Sequence, residues 1–249
     1  MKISVVIPVL NEQVNLPAAI DSVRDAITDP EIIAVDGGST DGSLEWLRRQ
    51  PGITVIQSPR GKGPQQNAGG KAASGDVLLF LHADCLLPPD AGAKLNQIMQ
   101  EAGIAGGCFL ARWSRSTPGL RLVSFGMNLR TMIRKTSYGD QALFIRRTVF
   151  REVAGFPDWP LFEDAELVRR IKTRGSFKVV HSPVTISARR FEAKGILHSI
   201  FLVYFLQIAF LLGVPPARLK KWFVDIRPHL KRKDGGQREE PNSAAGHVK

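Results

Sequence analysis

A histidine and an aspartate one residue apart, His82 and Asp84, close the run Asp-Val-Leu-Leu-Phe-Leu-His-Ala-Asp over 76–84. Val77 to Leu81 is short and apolar and follows the turn pair Ser74-Gly75, which predicts a strand covered on both faces. His82 and Asp84 then fall where that strand leaves its sheet, the edge at which ligands collect in open α/β sheets. A His-x-Asp pair at such a tip suits a metal ion or a phosphate ester. Equally, Asp84 caps a turn ahead of Pro88 and Pro89.

Other polar residues recur in the same relation to apolar runs. Ile3 to Val9 predicts a first strand, left by Asn11-Glu12. Glu31 to Asp36 predicts a second, left by Asp36-Gly37-Gly38-Ser39-Thr40-Asp41-Gly42, where glycines permit close backbone approach and Thr40 or Asp41 can cap a helix. Ile53 to Gln57 predicts a third, followed by a glycine-bearing loop with Arg60 and Lys62. Strands alternating with helices from Leu16 to Ala26, from Ser43, and up to Ala73 imply right-handed βαβ units in a parallel sheet. Such a sheet brings Asn11, Glu12, Asp36, Arg60, Lys62 and Asp84 to one edge. Farther on, Glu163 and Asp164 open a helix with an apolar stripe at Leu167, Val168 and Ile171; two acids there satisfy the helix dipole or serve chemistry.

Composition narrows the classes. The 249 residues are 43% hydrophobic, ample for one large α/β domain plus an appendage. Two cysteines, Cys85 and Cys108, form no disulfide framework and predict a reducing compartment, and the amino terminus lacks a secretory signal pattern. No Gly-x-Gly-x-x-Gly follows the first strand and no Walker loop is present, which disfavours nicotinamide and P-loop enzymes. Of the net charge of +11, +7 falls in residues 189–249, which hold 12 Lys or Arg against 5 Asp or Glu. No helix-turn-helix, zinc spacing or aromatic RNA signature accompanies that charge, so an anionic membrane surface or phosphorylated ligand is expected rather than nucleic acid.

Val-Ile-Pro-Val-Leu-Asn-Glu at 6–12, Val-Asp-Gly-Gly-Ser-Thr-Asp-Gly at 35–42, Arg-Gly-Lys-Gly-Pro-Gln-Gln-Asn-Ala-Gly at 60–69 and Phe-Leu-His-Ala-Asp at 80–84 resemble, in order and spacing, the family 2 glycosyltransferases of GT-A fold. Tyr-Gly-Asp-Gln-Ala at 138–142 and Phe-Glu-Asp-Ala-Glu-Leu at 162–167 resemble that family's acceptor-side and catalytic segments. The resemblance covers roughly residues 3–190. It implies a Rossmann-like, mostly parallel sheet flanked by helices, and inverting transfer of a sugar from a UDP- or GDP-linked donor to an acceptor hydroxyl. By the same resemblance Asp36 meets the nucleotide base and ribose, with Asn11 and Glu12 lining the pocket, and Arg60 and Lys62 pair with the diphosphate. Asp84 matches the last aspartate of the family's Asp-x-Asp motif and would hold Mn²⁺ or Mg²⁺. His82 replaces the first aspartate; it is compatible with Mn²⁺ but poor for Mg²⁺, and otherwise hydrogen-bonds a ribose or phosphate oxygen. Asp164, with Glu163 as fallback, would be the general base, and Asp140 and Gln141 would orient acceptor or donor sugar. A nucleotidyltransferase and a non-catalytic nucleotide-sugar scaffold are the alternatives.

Ile196 to Val214 is nearly continuous apolar sequence without a polar face, flanked on both sides by basic residues. A helix of that kind is buried in protein or lipid. A helix lying on the membrane surface or on another subunit is expected first, a true span second and a core helix third. The expected organisation is a catalytic domain over 1–190, an apolar and basic helical segment over 191–233 and a disordered tail over 234–249. That corresponds to a cytoplasmic enzyme peripheral to the membrane, with an acceptor that a lipid could carry and with homo-oligomers open.

Overall fold

The computed structural model describes residues 1–138, 140–188 and 196–222. Its first half alternates as expected: β1 (Ile3–Val9), α1 (Leu16–Ala26), β2 (Glu31–Asp36), α2 (Ser43–Arg48), β3 (Ile53–Gln57), α3 (Lys62–Ala72) and β4 (Val77–Phe80). The second half adds β5 (Cys85–Leu86), α4 (Ala91–Gln100), β6 (Ile104–Trp113), α5 (Pro118–Arg134), β7 (Leu143–Arg146), α6 (Arg147–Glu152), α7 (Glu163–Ile171), β8 (Ser176–Ile186), α8 (Ile196–Leu211) and α9 (Pro216–Trp222).

All strands join one 8-stranded sheet in the order β3-β2-β1-β4-β7-β6-β8-β5. β1 lies between β2 and β4 in parallel, with Val9 opposite Asp36 and Val6 opposite Phe80; β3 pairs parallel to β2 with Gln57 opposite Asp36. This register aligns the carboxyl ends of all four strands. β7 runs antiparallel to β4, with Leu143 opposite Phe80. The segment that enters β7, residues 140–142, therefore reaches the same edge as the segment that leaves β4. β6 is antiparallel to β7 and parallel to β8, and short β5 is antiparallel to β8, so most strands share one direction in a mixed sheet.

Because side chains alternate along a strand, β1 feeds two cores. Val5, Ile7 and Val9 pack with Leu16 and Ile20 of α1 and Leu95 of α4, whereas Val6 packs with Phe80, Phe150 of α6 and Leu167 and Val168 of α7. α3 lies close over β1 because Gly69 faces the sheet: a Cβ there would stand 2.3 Å from Val6 Cγ1 and 3.0 Å from Val35 Cγ2. Gly69→Ala is thus expected to destabilise the protein by about 1–3 kcal/mol through overpacking, despite alanine's better helix propensity. Chemical denaturation of the two proteins measures this.

The apolar run over 196–214 is shorter as a helix than its sequence: α8 has 16 residues and gives way to a turn at Gly213, whose φ is 88°. Among the described residues no helix is long and apolar enough to cross a membrane, so the span that ranked second finds no support there. β8 stops at Ile186, ahead of Arg189 and Arg190. Those two arginines and the tail over 234–249 lie outside the described residues.

Candidate active site

The loops past β1 and β2 are fastened to each other. Asn11 N–H donates to Ser39 Oγ at 3.0 Å, Asn11 Oδ1 accepts from Thr40 N–H at 2.8 Å, and Glu12 N–H donates to Ser43 Oγ at 3.0 Å. Asn11 makes these bonds with a left-handed φ of 54°, a conformation asparagine tolerates better than most residues. Asp36 is fully buried at the end of β2, where its carboxylate accepts from Gly38 N–H at 2.9 Å and Ser39 N–H at 3.2 Å. Asp36 thus builds the turn whose floor it forms.

Sequence reading placed Gln65 on α3 without assigning it a role. It is buried, and its Nε2 donates at 2.8 Å to both Val9 O and Val35 O, tying together the carboxyl ends of β1 and β2. Gly37 lets it do so, since a Cβ at 37 would lie 2.9 Å from the Gln65 amide. Gln65→Leu leaves two strand-end carbonyls without this donor. It should cost about 1–3 kcal/mol and loosen both loops, detectable as a lower melting temperature together with faster amide exchange at Gly37 and Gly38.

On the other side of β4, a charged cluster forms. His82 is buried, with Nδ1 3.7 Å from Asp140 Oδ1. Glu163 and Asp164 are both buried at the start of α7. Burial raises the Asp164 carboxyl well above the usual range; Glu163 and Asp140 push it further up, while Lys62 pulls against them. Lys62, His82, Asp140, Glu163 and Asp164 therefore share one electrostatic neighbourhood, drawn from α3, β4, the β7 entry and α7. Arg60 is exposed on the loop before α3 and Asp84 is half-buried beyond β4.

The chain is bent at this edge. Phe162, immediately before α7, has φ 65°, and Ala142, after Gln141, has φ 42°. A bulky residue in the left-handed region is held there only by its surroundings. Phe162 stacks on Phe210 of α8 with ring centroids 4.6 Å apart and meets Tyr138 edge-on at 5.9 Å. Gln141 is buried, and its Nε2 donates to Thr131 Oγ1 of α5 at 2.9 Å, so its side chain braces α5. Phe162 opens the 162–167 motif, yet nothing in the amino-acid pattern marked its bent backbone or the role of Thr131.

Among the described residues no three His, Cys, Asp or Glu side chains gather as a metal cage. Asp84 alone fits a hard divalent ion of the kind that takes one or two protein carboxylates and completes its shell with substrate phosphates and water. His82, turned by Nδ1 toward Asp140, fits a polar contact equally well.

The mixed sheet, with acids and a lysine gathered along one edge, has the GT-A fold. It matches the mannosyltransferase PcManGT from Pyrobaculum calidifontis, solved with GDP-Man and Mn²⁺, at a TM-score of 0.62 and 20% identity over 89% of this chain and 67% of that one. It also matches TarS residues 1–349 from S. aureus, solved with UDP-GlcNAc, at a TM-score of 0.59 and 18% identity over 75% of this chain and 58% of that one. At such identities the likeness is one of fold. The chain belongs to glycosyl transferase family 2, whose sequence profile matches residues 4–152. An undecaprenyl-phosphate 4-deoxy-4-formamido-L-arabinose transferase from Serratia proteamaculans is 40% identical over 111 residues, 40% of this chain. The chain spans about a third of that relative's length, 34%.

Proposed function

We propose that this glycosyltransferase moves a sugar from a UDP- or GDP-linked donor to an acceptor hydroxyl or phosphate oxygen with inversion at the anomeric carbon. The observation that carries the proposal is the convergence of Lys62, His82, Asp140, Glu163 and Asp164 at the edge where the β1 and β2 loops also lie. Asn11, Glu12 and Asp36 hold the nucleoside, Asp36 chiefly by fixing the turn at 37–39. Arg60 and Lys62 meet the diphosphate. Asp84 would hold Mn²⁺ or Mg²⁺, which when bound stabilises charge on the leaving diphosphate. The acceptor oxygen attacks the anomeric carbon while the carbon–oxygen bond to the diphosphate breaks. Asp164 takes the acceptor's proton where there is one, with Glu163 beside it. Asp140 orients the sugar, and Gln141 positions the 138–142 segment by bracing α5.

Residues 1–190 act as the catalytic domain and 191–233 as a helical segment facing a membrane or subunit. The Serratia relative is named for undecaprenyl phosphate, which supports a lipid-linked acceptor and a peripheral place at the membrane. Incubating the protein with UDP- and GDP-sugars, Mn²⁺ and a polyprenyl phosphate tests this. Release of nucleoside diphosphate with a product of opposite anomeric configuration is expected. Release of pyrophosphate would instead indicate a nucleotidyltransferase.

A further inference from the structure

α5 carries apolar residues on two faces, one against the core and one toward the surface. Inward, Leu120, Val123 and Met127 pack on the core, Asn128 exchanges hydrogen bonds with the Ala111 backbone at 3.0 and 2.9 Å, and Thr131 bonds Gln141. Its outward stripe is apolar, with Leu122, Phe125 and Ile133 exposed by 72%, 63% and 73%. Positions 122, 125, 129 and 133 recur at helical spacing, so the stripe is continuous. α8 lies alongside, joined by Arg130 Nη1 donating to Gln207 Oε1 at 2.5 Å, and it too turns apolar residues outward: Phe201, Ile208 and Leu211. Between the helices runs a cleft of about 330 Å³ walled by Leu129, Ile133, Tyr204, Ile208 and Leu211. Exposed apolar area of this extent and continuity marks an interaction surface.

Charge decides what covers it. Residues 114–138 and 196–222 contain no Asp or Glu, while Arg121, Arg134, Lys135, Arg218 and Lys221 are exposed along the two helices and α9. A second protein copy would bring the same cations against these, an arrangement that repels. An anionic bilayer meets both features at once, since apolar side chains enter the acyl boundary and cations meet lipid phosphates.

We infer that α5 and α8 together form an interfacial face that seats the enzyme on an anionic membrane. The same two helices hold the acid-bearing edge: α5 braces Gln141, and Phe210 of α8 stacks on Phe162, one residue before Glu163. Seating the face sets that edge beside the lipid headgroups, a consequence that rests on the proposed transfer to a lipid-linked acceptor; the seating itself does not.

Vesicle co-sedimentation of the full chain, without nucleotide, tests the face. Vesicles of phosphatidylcholine alone are compared with vesicles in which one lipid in three is phosphatidylglycerol. Binding to the anionic vesicles is expected to be at least roughly tenfold tighter and to weaken with salt. Phe125→Glu/Ile133→Glu, at exposed positions, should lose binding at least roughly tenfold while keeping its circular dichroism spectrum and its diphosphate affinity. Arg121→Gln/Arg134→Gln should lose the preference for anionic lipid and keep the weak residual binding. Folded wild type that ignores both vesicles, an α5 variant that binds like wild type, or a dimer in ultracentrifugation that only the α5 variant breaks would each overturn the inference.

Discussion

With a hydroxyl acceptor, Asp164→Asn is expected to lower kcat by roughly a thousandfold, the size of a lost general base, with donor affinity little changed. Asn keeps the shape and accepts no proton in the working pH range. The same substitution separates catalysis from stability. Burial, then Glu163 and Asp140, hold the Asp164 carboxyl far above its ordinary range. A carboxyl raised in the folded state contributes stability that is fully present below the unfolded pKa. That contribution is lost as pH rises through the folded pKa, because the buried charge must then form. Wild type should therefore lose melting temperature between mildly acidic and alkaline pH, and Asp164→Asn should lose less and become the more stable protein at the alkaline end. In turnover the sign reverses. The base must be ionised, so with a hydroxyl acceptor kcat/KM rises with pH through an apparent pKa above the carboxylate range. A variant that retains turnover, or a profile rising at pH 4, would remove Asp164 from the role of base.

Asp84→Ala is expected to abolish the dependence of turnover on Mn²⁺ and to lower kcat/KM by on the order of a hundredfold or more, as expected when several kcal/mol of charge stabilisation on the leaving diphosphate is lost. Titrating Mn²⁺ into EDTA-treated wild type and variant measures both effects. His82→Ala tests the other half of the pair. If His82 acts through Asp140, 3.7 Å away, the variant keeps its Mn²⁺ dependence and loses sugar orientation, read as a fall in kcat at unchanged metal affinity. A comparable loss of Mn²⁺ affinity in both variants would make His82 a ligand as well.

How much of this was legible depends on how local the determining contact is. β1, β2 and β3 have the bounds that their apolar runs predict, and the loops past β1, β2 and β4 converge as a parallel sheet requires. β7 escaped because four residues carry no period, and its place between β4 and β6 is fixed by pairing across the chain. β6 carries Gly106 and Gly107, which weaken a strand pattern; Gly107 is there because a Cβ would lie 2.2 Å from Lys178 O on the neighbouring strand. α5 was unreadable for a different reason. Leu120, Val123 and Met127 pack inward while Leu122, Phe125 and Ile133 face outward, so no single apolar stripe marks it.

The site divides similarly. Asp140, Glu163 and Asp164 lie in one cluster with His82 and Lys62. Asp36 sits where expected, yet its carboxylate is engaged by Gly38 and Ser39, a contact that its turn sequence allowed from the start. Gln65 and Phe162 sit inside the quoted motifs but act through tertiary contacts, one reaching two strand ends and the other held at φ 65° by Phe210, so the motifs gave no sign of these roles.

Titration calorimetry of the purified protein with UDP and with GDP, each in Mn²⁺, Mg²⁺ and EDTA, tests the central claim most directly. One diphosphate is expected to bind in the presence of a divalent ion, to bind far more weakly in EDTA, and to lose its metal dependence in Asp84→Ala. Failure of folded wild type to bind either diphosphate under any of these conditions would contradict UDP- or GDP-sugar transfer at this edge.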